Sequence, residues 1–522
     1  MRCLTILFLC TSLNLWSQNS YYIQFKSKDT TKEKLHVSNS SIQRKLMYNI
    51  PIDSKDYNIN ENYINSIKQF NEKIKISNWL NAVAVELTEN QKEIIKSFSF
   101  VDTVFLLKND APIKKSIKNE TYTISDYGSS YNQIHIHNGE FLHDSGYDGK
   151  GMKIAVFDAG FNDVDSFNCF KHLFTENRIH FGANLVYNTD SFFDYDGHGT
   201  SVLGCMASYI KDTIVGTCPN ADFYLFITED ARSESRLEEF NWAVAAEKAD
   251  SIGVDVINSS LGYAQFDDAK MNYTFQDMDG NTTIVSKAAK IATEKGIIVV
   301  NSAGNEGNKS WKKITAPADV ENVITVGAID NSRMVTAFSS RGFNANKVIK
   351  PDVVAVGGGA TVFYNKGKYS VSNGTSFSSP IMAGMVACFW QTNRSLTPDS
   401  VRNLIYKSSH LFTNPNGDYG FGIPDFKKAL KMSKENFFEL NQINIFPNPT
   451  SNFIITEFYS KLESKLVQLT LFSLQGKILS KTIMTKKGIN TDFIDIKGLA
   501  KGIYILKVET EDKMIERKIL ID

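Results

Sequence analysis

The sequence predicts a doubly wound α/β domain, a mostly parallel sheet with helices on both faces, flanked by a small N-terminal α/β unit and a C-terminal β-sandwich. Three observations point to it. The 522 residues exceed what one core absorbs and suggest about three to four folded units at a domain size of about 100 to 200 residues. Between about Tyr127 and Lys434, apolar runs (MKIAVFD, ADFYLFI, VDVINSS, GIIVVNSAG, NVITVGA) alternate with helical segments, the pattern of parallel strands covered on both faces. From about Ile443 the pattern changes to short strand-like runs (FIITEF, LVQLTLF, KILSKTI, FIDI, GIYILKV) broken by PNPTSN and LQGK turns, as in a small sandwich.

Composition narrows the class. Hydrophobic residues make up 42% and charged residues 22%, with 32 Gly and 11 Pro, which excludes disordered, collagen-like and small disulfide-scaffold chains. Lys+Arg and Asp+Glu stand at 57 each, so no basic excess argues for nucleic acid as a partner.

Taken in chain order, residues 1–18 read as an export signal: Arg2, an apolar stretch from Leu4 to Leu15, and Ser17 at a cleavable position. Asn14, Gln18 and Asn19 interrupt that stretch well short of the ~20 apolar residues of a spanning helix. No transmembrane anchor is therefore expected in the mature chain. Lipidation at Cys10 is disfavoured by the bulky Leu9 before it. Residues 19–115 form the predicted small α/β unit, with YYIQF, AVAVEL and VDTVFLL as its strands. The Lys- and Asn-rich stretch at 108–119 reads as exposed and protease-accessible, and the linker is placed at 116–126. The central domain follows at 127–435 and the sandwich at 443–522. Loss of the signal leaves Cys169, Cys205, Cys218 and Cys388. Cys205 and Cys388 sit in apolar helical stretches and read as buried thiols; pairing of Cys169 with Cys218 stays open.

Three segments carry chemistry. Asp158 ends the run KIAVFDAGF, at the carboxyl end of a strand, where open α/β sheets present functional side chains; alone it reads rather as a capping or turn residue before Gly160. His198 in DYDGHGTSVLGCMAS is bracketed by Gly197 and Gly199 at the start of a core helix. Ser376 in SNGTSFSSPIMAGMVACFW lies at the positive end of a helix dipole, with Pro380 taken as part of the first turn; alone it is an ordinary capping serine. Together they form one device: a serine hydroxyl is a weak nucleophile until an imidazole takes its proton and a carboxylate fixes that imidazole's tautomer. His135 and His137 in QIHIHNGE alternate as a strand pair does, but no third metal ligand accompanies them.

Chain order discriminates among triad folds. Here it is Asp, His, Ser, the order that neither the α/β-hydrolases nor the chymotrypsin type shows. VFDAGF, DGHGTSVLG, NSSLGY, NSAGNEG and NGTSFSSPIMAG resemble the signatures of the subtilisin-like serine proteases, over roughly residues 127 to 434, with TAFSSRG, KPDVVAVG and YGFGIPD in the matching order. The resemblance implies a subtilisin-like fold and a secreted endopeptidase acting on protein or peptide substrates. In it Asp158 orients His198, His198 is general base and then acid, and Ser376 is the acyl-forming nucleophile. It makes Asn305 the oxyanion donor alongside the Ser376 backbone N–H, and Ser260, Leu261, Gly262, Ala303 and Gly304 the rims of the substrate cleft. No metal or organic cofactor is implied for catalysis. Asp277, Asp279 and Asn281 in DMDGNTT mimic the start of a calcium loop without its closing Glu, so a polar surface insertion is the preferred reading and structural calcium stays open.

The N-terminal unit resembles the inhibitory propeptide common in this family, which implies a cis partner for the protease domain; a permanent accessory domain is the alternative. The tail, with PNPTSN and GIYILKV, resembles the sorting domain that Bacteroidetes-type bacteria use for type IX secretion, which implies that machinery as a partner and a secreted or cell-surface destination. A generic adhesive sandwich is its alternative. The rival to the whole reading is a catalytically silent peptide-binding or adhesive protein on the same fold.

Overall fold

The structure is a computed structural model that describes residues 19–28, 33–109, 127–187, 189–364, 368–439, 444–446, 450, 453–460, 467–484, 488–509 and 514–521. The predicted signal at 1–18 and linker at 116–126 lie outside the described residues. The described chain forms two compact units that divide after Phe426.

The first unit opens with β1 (Asn19–Phe25), α1 (Asn39–Met47), α2 (Glu61–Lys68), β2 (Ile74–Ser77), β3 (Ala82–Leu87), α3 (Glu89–Lys96) and β4 (Val101–Lys108). The strands pair antiparallel in the order β2-β3-β1-β4. Their period-2 alternation separates two cores. Tyr21, Ile23 and Phe25 of β1, with Val83, Val85 and Leu87 of β3, bury one face beneath the local helices. Tyr22, Ala82 and Ala84 point the other way, into the core of the large domain. Tyr22 meets Phe240 edge to face at 5.8 Å. The small unit is thus folded onto the larger one through a sheet face.

The large domain follows the alternation that the sequence predicts. Its elements are β5 (Lys153–Asp158), β6 (Ile179–Asn184), α4 (His198–Ala207), β7 (Asp222–Ile227), α5 (Arg236–Ile252), β8 (Val256–Ser259), α6 (Ile284–Glu294), β9 (Ile298–Ser302), β10 (Ile324–Ile329), β11 (Val353–Val356) and α7 (Thr375–Gln391). The seven strands form a parallel sheet in the order β11-β10-β9-β8-β5-β7-β6. Residues 298–302 and 324–329 are buried throughout, as strands covered on both faces must be. Every residue of α7 from Thr375 to Trp390 is buried, so this helix is apolar all round, unlike a surface helix. His135 ends a helical turn, Tyr131–His135, and His137 lies in the turn just after it, rather than on a strand.

The second unit contains β12 (Asn444–Phe446), β13 (Phe453–Ser460), β14 (Val467–Ser473), β15 (Ile478–Met484), β16 (Gly488–Asp495), β17 (Gly502–Glu509) and β18 (Met514–Ile521). They form two antiparallel sheets, β12-β13-β16 and β15-β14-β17-β18, around Ile454, Leu469, Leu471, Ile494, Leu506 and Ile519. Among the described residues no helix is long and apolar enough to cross a membrane.

Candidate active site

Parallel strands emerge at one edge of the sheet, and there β5 delivers Asp158. Its carboxylate is fully buried and accepts the Ala159 backbone N–H at 2.8 Å. Both its oxygens face His198 Nδ1, Oδ1 at 2.8 Å and Oδ2 at 3.0 Å. An ionised carboxylate only accepts, so the proton of a neutral imidazole rests on Nδ1 and Nε2 is left basic. The approach of α4 to β5 depends on the glycines around it. A Cβ on Gly199 would meet the Gly160 carbonyl at 2.3 Å and Asp158 Cβ at 2.9 Å.

Ser376 is the second residue of α7, so its backbone N–H belongs to the first turn and has no partner within the helix. The His198 ring lies 6.1 Å from the ring of the adjoining Phe377. Pro380 is the sixth residue of α7 rather than part of its first turn. Lacking an N–H, it leaves the Ser376 carbonyl without its usual i+4 donor. That carbonyl instead accepts the Ser260 hydroxyl at 2.8 Å, and Ser260 is approached in turn by Asn258 Nδ2 at 3.3 Å. Ser260, read in sequence as a rim residue, therefore also holds the helix that bears Ser376.

Asn305 is fixed by its neighbour in space. Its Oδ1 accepts the Thr375 N–H at 2.9 Å and the Thr375 hydroxyl at 3.0 Å. Because a backbone N–H only donates, this pair orients the amide and leaves its NH2 as the end available to a ligand. Ser260, Leu261, Gly262, Gly304, Asn305 and Ser376 line one cavity of about 170 Å³. Ala303 lies beneath it: the side chain is buried in the core and the N–H is committed to the Val326 carbonyl at 3.0 Å. Gly304 has φ +106°, and a Cβ there would meet Ser340 Oγ at 2.9 Å. Thr315, absent from the sequence reading, supplies a further wall, with its hydroxyl 2.2 Å from where a Gly262 Cβ would stand. Thr315 and Thr375 carry no local pattern that sets them apart from other threonines.

The other candidates separate. His135 Nδ1 pairs with Glu140 at 2.6 Å, whereas buried His137 faces the Pro424 carbonyl at 3.1 Å. In DMDGNTT, Asp279 accepts the Asn281 and Thr282 N–H groups, each at 2.7 Å, and Asp277 accepts that of Thr274 at 2.7 Å. These carboxylates cap their own turns, as a polar surface insertion requires. Cys169, Cys205, Cys218 and Cys388 are buried free thiols. Among the described residues, the carboxyl oxygens of Glu229, Glu234 and Glu238 come within 4.8 Å of one another. Burial pushes Glu229 and Glu238 well above the usual carboxyl range, and the Tyr263 hydroxyl bonds to Glu229.

Known proteins resemble this chain in sequence and in fold. Residues 149–422 match the subtilase family (peptidase S8), residues 20–122 the peptidase S8 propeptide domain of Bacteroidota, and residues 444–522 the secretion system C-terminal sorting domain. Subtilisin E of Bacillus subtilis (strain 168) is 27% identical over 358 residues, 66% of this chain and 85% of that protein. The alkaline protease of Alkalihalobacillus alcalophilus is 29% identical over 290 residues, 55% of this chain and 67% of that protein. In fold, the chain is similar to the epidermin leader peptide processing serine protease (EpiP) of Staphylococcus aureus, with a TM-score of 0.56 and 18% identity over 80% of this chain and 99% of that one. The sorting domain marks the protein for the outside of the cell, secreted or at the surface. With more than half of its length matched by the one family, the chain belongs to the subtilases and is a serine endopeptidase.

Proposed function

We propose that Asp158, His198 and Ser376 are the catalytic triad of this endopeptidase, with Asn305 and the Ser376 N–H as its oxyanion donors. The observation that carries this reading is the buried Asp158 carboxylate on His198 Nδ1 at 2.8 Å, beside the helix start that bears Ser376. In this reading Nε2 takes the Ser376 proton as Oγ attacks the peptide carbonyl, then returns it to the departing amine. Asp158 holds the tautomer and stabilises the imidazolium, remaining ionised throughout. The tetrahedral oxyanion is met by the Asn305 NH2 and the Ser376 N–H. Protein or peptide substrates lie extended along Ser260, Leu261, Gly262 and Gly304, pairing with their backbone by strand addition, while Ala303 supports that rim from below. No step requires a metal or an organic cofactor.

Residues 19–115 serve as the propeptide in cis, and the sheet face it shares with the protease domain supports this role. Cleavage in the linker at 116–126 or just before it frees the catalytic domain at 127–435, while residues 443–522 address the chain to the type IX machinery. The decisive experiment is covalent labelling by a serine-directed organophosphonate. Wild-type protein freed of its propeptide labels stoichiometrically; Ser376→Ala does not label and loses about 10⁶ in kcat, the scale seen for triad nucleophiles. A folded, propeptide-free wild type that resists labelling supports the silent peptide-binding rival instead.

A further inference from the structure

The propeptide leaves its own fold at Lys108, and that side chain does not end in solvent. Its Nζ donates to Ser233 Oγ at 2.9 Å and to Asp230 Oδ2 at 3.3 Å, both on the loop that follows β7. The next residue, Asn109, donates from Nδ2 to Asp268 Oδ2 at 2.8 Å. Lys108 and Asn109 therefore join two loops of the protease domain. These loops are tied together at their far end, where the Glu234 N–H reaches Asp267 Oδ2 at 2.9 Å and the Asp267 N–H reaches the Glu234 carbonyl at 3.0 Å. At their near ends both return to the triad. The Thr228 N–H donates to the Asp158 carbonyl at 3.0 Å, and Ser260 donates to the Ser376 carbonyl. Each loop thus runs from a residue bonded to the backbone of Asp158 or Ser376 to one that meets Lys108 or Asn109.

The chemistry of that far end suits a cation. On this loop the charge that meets Lys108 is that of the Asp230 carboxylate, since burial holds Glu229 and Glu238 well above the usual carboxyl range. Arg232 offsets part of it by bonding Asp230 at 2.7 and 3.0 Å, but its side chain is 68% exposed and lies over the Tyr187 ring, leaving the Asp230 carboxylate able to accept Lys108 as well. A second propeptide lysine, Lys75, donates to Asn241 Oδ1 at 2.7 Å. Lys75, Lys108, Asp230, Ser235, Glu238 and Asn241 share a cavity of about 650 Å³. Two lysines from the propeptide thus reach polar groups of the protease domain, Lys108 the Asp230 carboxylate and Lys75 the Asn241 amide, and both leave with it.

We propose that Asp230 and Ser233 form a subsite for a basic side chain, lysine or arginine, on the amino-terminal side of the scissile bond, which Lys108 fills until the propeptide departs. The polarity follows from the chain itself. Lys108 precedes the linker whose cleavage is proposed above, so a substrate running in the same direction brings its upstream residues to the same place. The subsite rests on the triad reading.

The test uses mature enzyme and a peptide series in which a single lysine is walked along the amino-terminal side of one cleavage site, with alanine and glutamate as references. At one upstream position the lysine peptide is cut with a kcat/KM about three- to tenfold above that of the alanine peptide, the range of a part-exposed ion pair with hydrogen bonds. The glutamate peptide falls below alanine, and the spread narrows as salt is raised. In Asp230→Asn the lysine-to-alanine ratio drops to about one. Should that variant fail to mature, Ser233→Ala lowers the ratio at least twofold. A wild-type ratio of one at every position overturns the subsite, as does a ratio unchanged in the variants. Equal rates for the lysine and alanine peptides in enzyme that labels with organophosphonate strike the subsite alone; absence of both labelling and cleavage strikes the triad reading and the subsite with it.

Discussion

At the scale of single residues, the orientation of Asn305 is the feature with the largest chemical consequence. A side-chain amide is useful to an oxyanion only when its NH2 points inward, and the two Thr375 donors on Oδ1 enforce that choice. On the proposed mechanism, replacing Asn305 by Ala removes one donor for charge that develops only in the transition state, so kcat falls about 10²- to 10³-fold while KM barely moves. Thr375→Val deletes one of the two orienting bonds but keeps the backbone donor, and its kcat falls by about tenfold or less. Steady-state kinetics on one peptide substrate checks both; an Asn305→Ala enzyme with unchanged kcat removes the residue from the mechanism. The sequence singled out Asp158, His198, Asn305 and Ser376 as candidates because glycines and small residues surround each of them in distinctive runs. Thr375 stayed hidden because its role is a contact with a residue seventy positions away, which no local pattern records.

At the scale of elements, α7 shows how a helix tolerates a proline in its second turn. Pro380 deprives the Ser376 carbonyl of a donor, and Ser260 replaces it from the end of a neighbouring strand. Removing that hydroxyl orphans a buried carbonyl, so Ser260→Ala lowers stability by about 1 to 3 kcal/mol. Pro380→Ala restores a backbone N–H at the right position, and the double variant recovers most of the loss. Thermal unfolding, measured in a Ser376→Ala background so that autolysis does not intrude, resolves the cycle; strictly additive effects show that the two residues do not share the carbonyl. The same element marks where pattern reading stopped. Its apolar run predicted a buried helix, yet the place of Pro380 in it depended on where the helix began, one residue before Ser376. The strands were legible where β-branched runs were continuous, as in Val256–Ser259 and Ile298–Ser302. The propeptide's β2 is only four residues long and half lysine and serine, too short for its alternation to register. The alternating His135 and His137 imitated a strand because two histidines two apart say nothing about the backbone between them.

At the scale of the whole first unit, the propeptide is held at two separated places, by Lys108 on the loop that follows β7 and by a buried ionic cluster beneath α1. Lys45 Nζ lies 3.0 Å from Asp56 and 3.1 Å from Asp250; Lys295 Nζ lies 2.7 Å from Asp56 and 2.9 Å from Asp53; Arg44 bonds Asp250. Asp53, Asp56, Lys45 and Arg44 belong to the propeptide, whereas Asp250 and Lys295 belong to the protease domain. Burial by itself pushes Asp56 and Asp53 upward, but the hydrogen bonds and charges of Lys295, with Lys45 at Asp56 and Lys55 at Asp53, outweigh it and hold both carboxyls below their usual value. A carboxyl depressed in the assembled state contributes stability that is complete above its free value of about 3.9 and is lost as pH falls through the depressed value. Higher up the scale two groups oppose one another. Burial against residues 77–79 pushes Glu247 up to about 7, so its contribution declines as pH rises from about 4.5 toward 7. Burial pushes His36, 3.4 Å from Glu247, downward, so its contribution has the opposite sign and grows as pH rises toward the free value of about 6.5. Those two act with opposite sign above about pH 4.5, so the acid arm below it belongs to Asp53 and Asp56: cleaved propeptide stays bound to the Ser376→Ala enzyme from neutral pH down to about 4 and is released below it. Size-exclusion chromatography of the nicked complex across that range checks the outcome. Asp56→Asn, which leaves Lys45 and Lys295 buried without their shared carboxylate, releases the propeptide already at neutral pH and flattens the acid arm; an arm of unchanged steepness in that variant assigns the transition to other carboxyls.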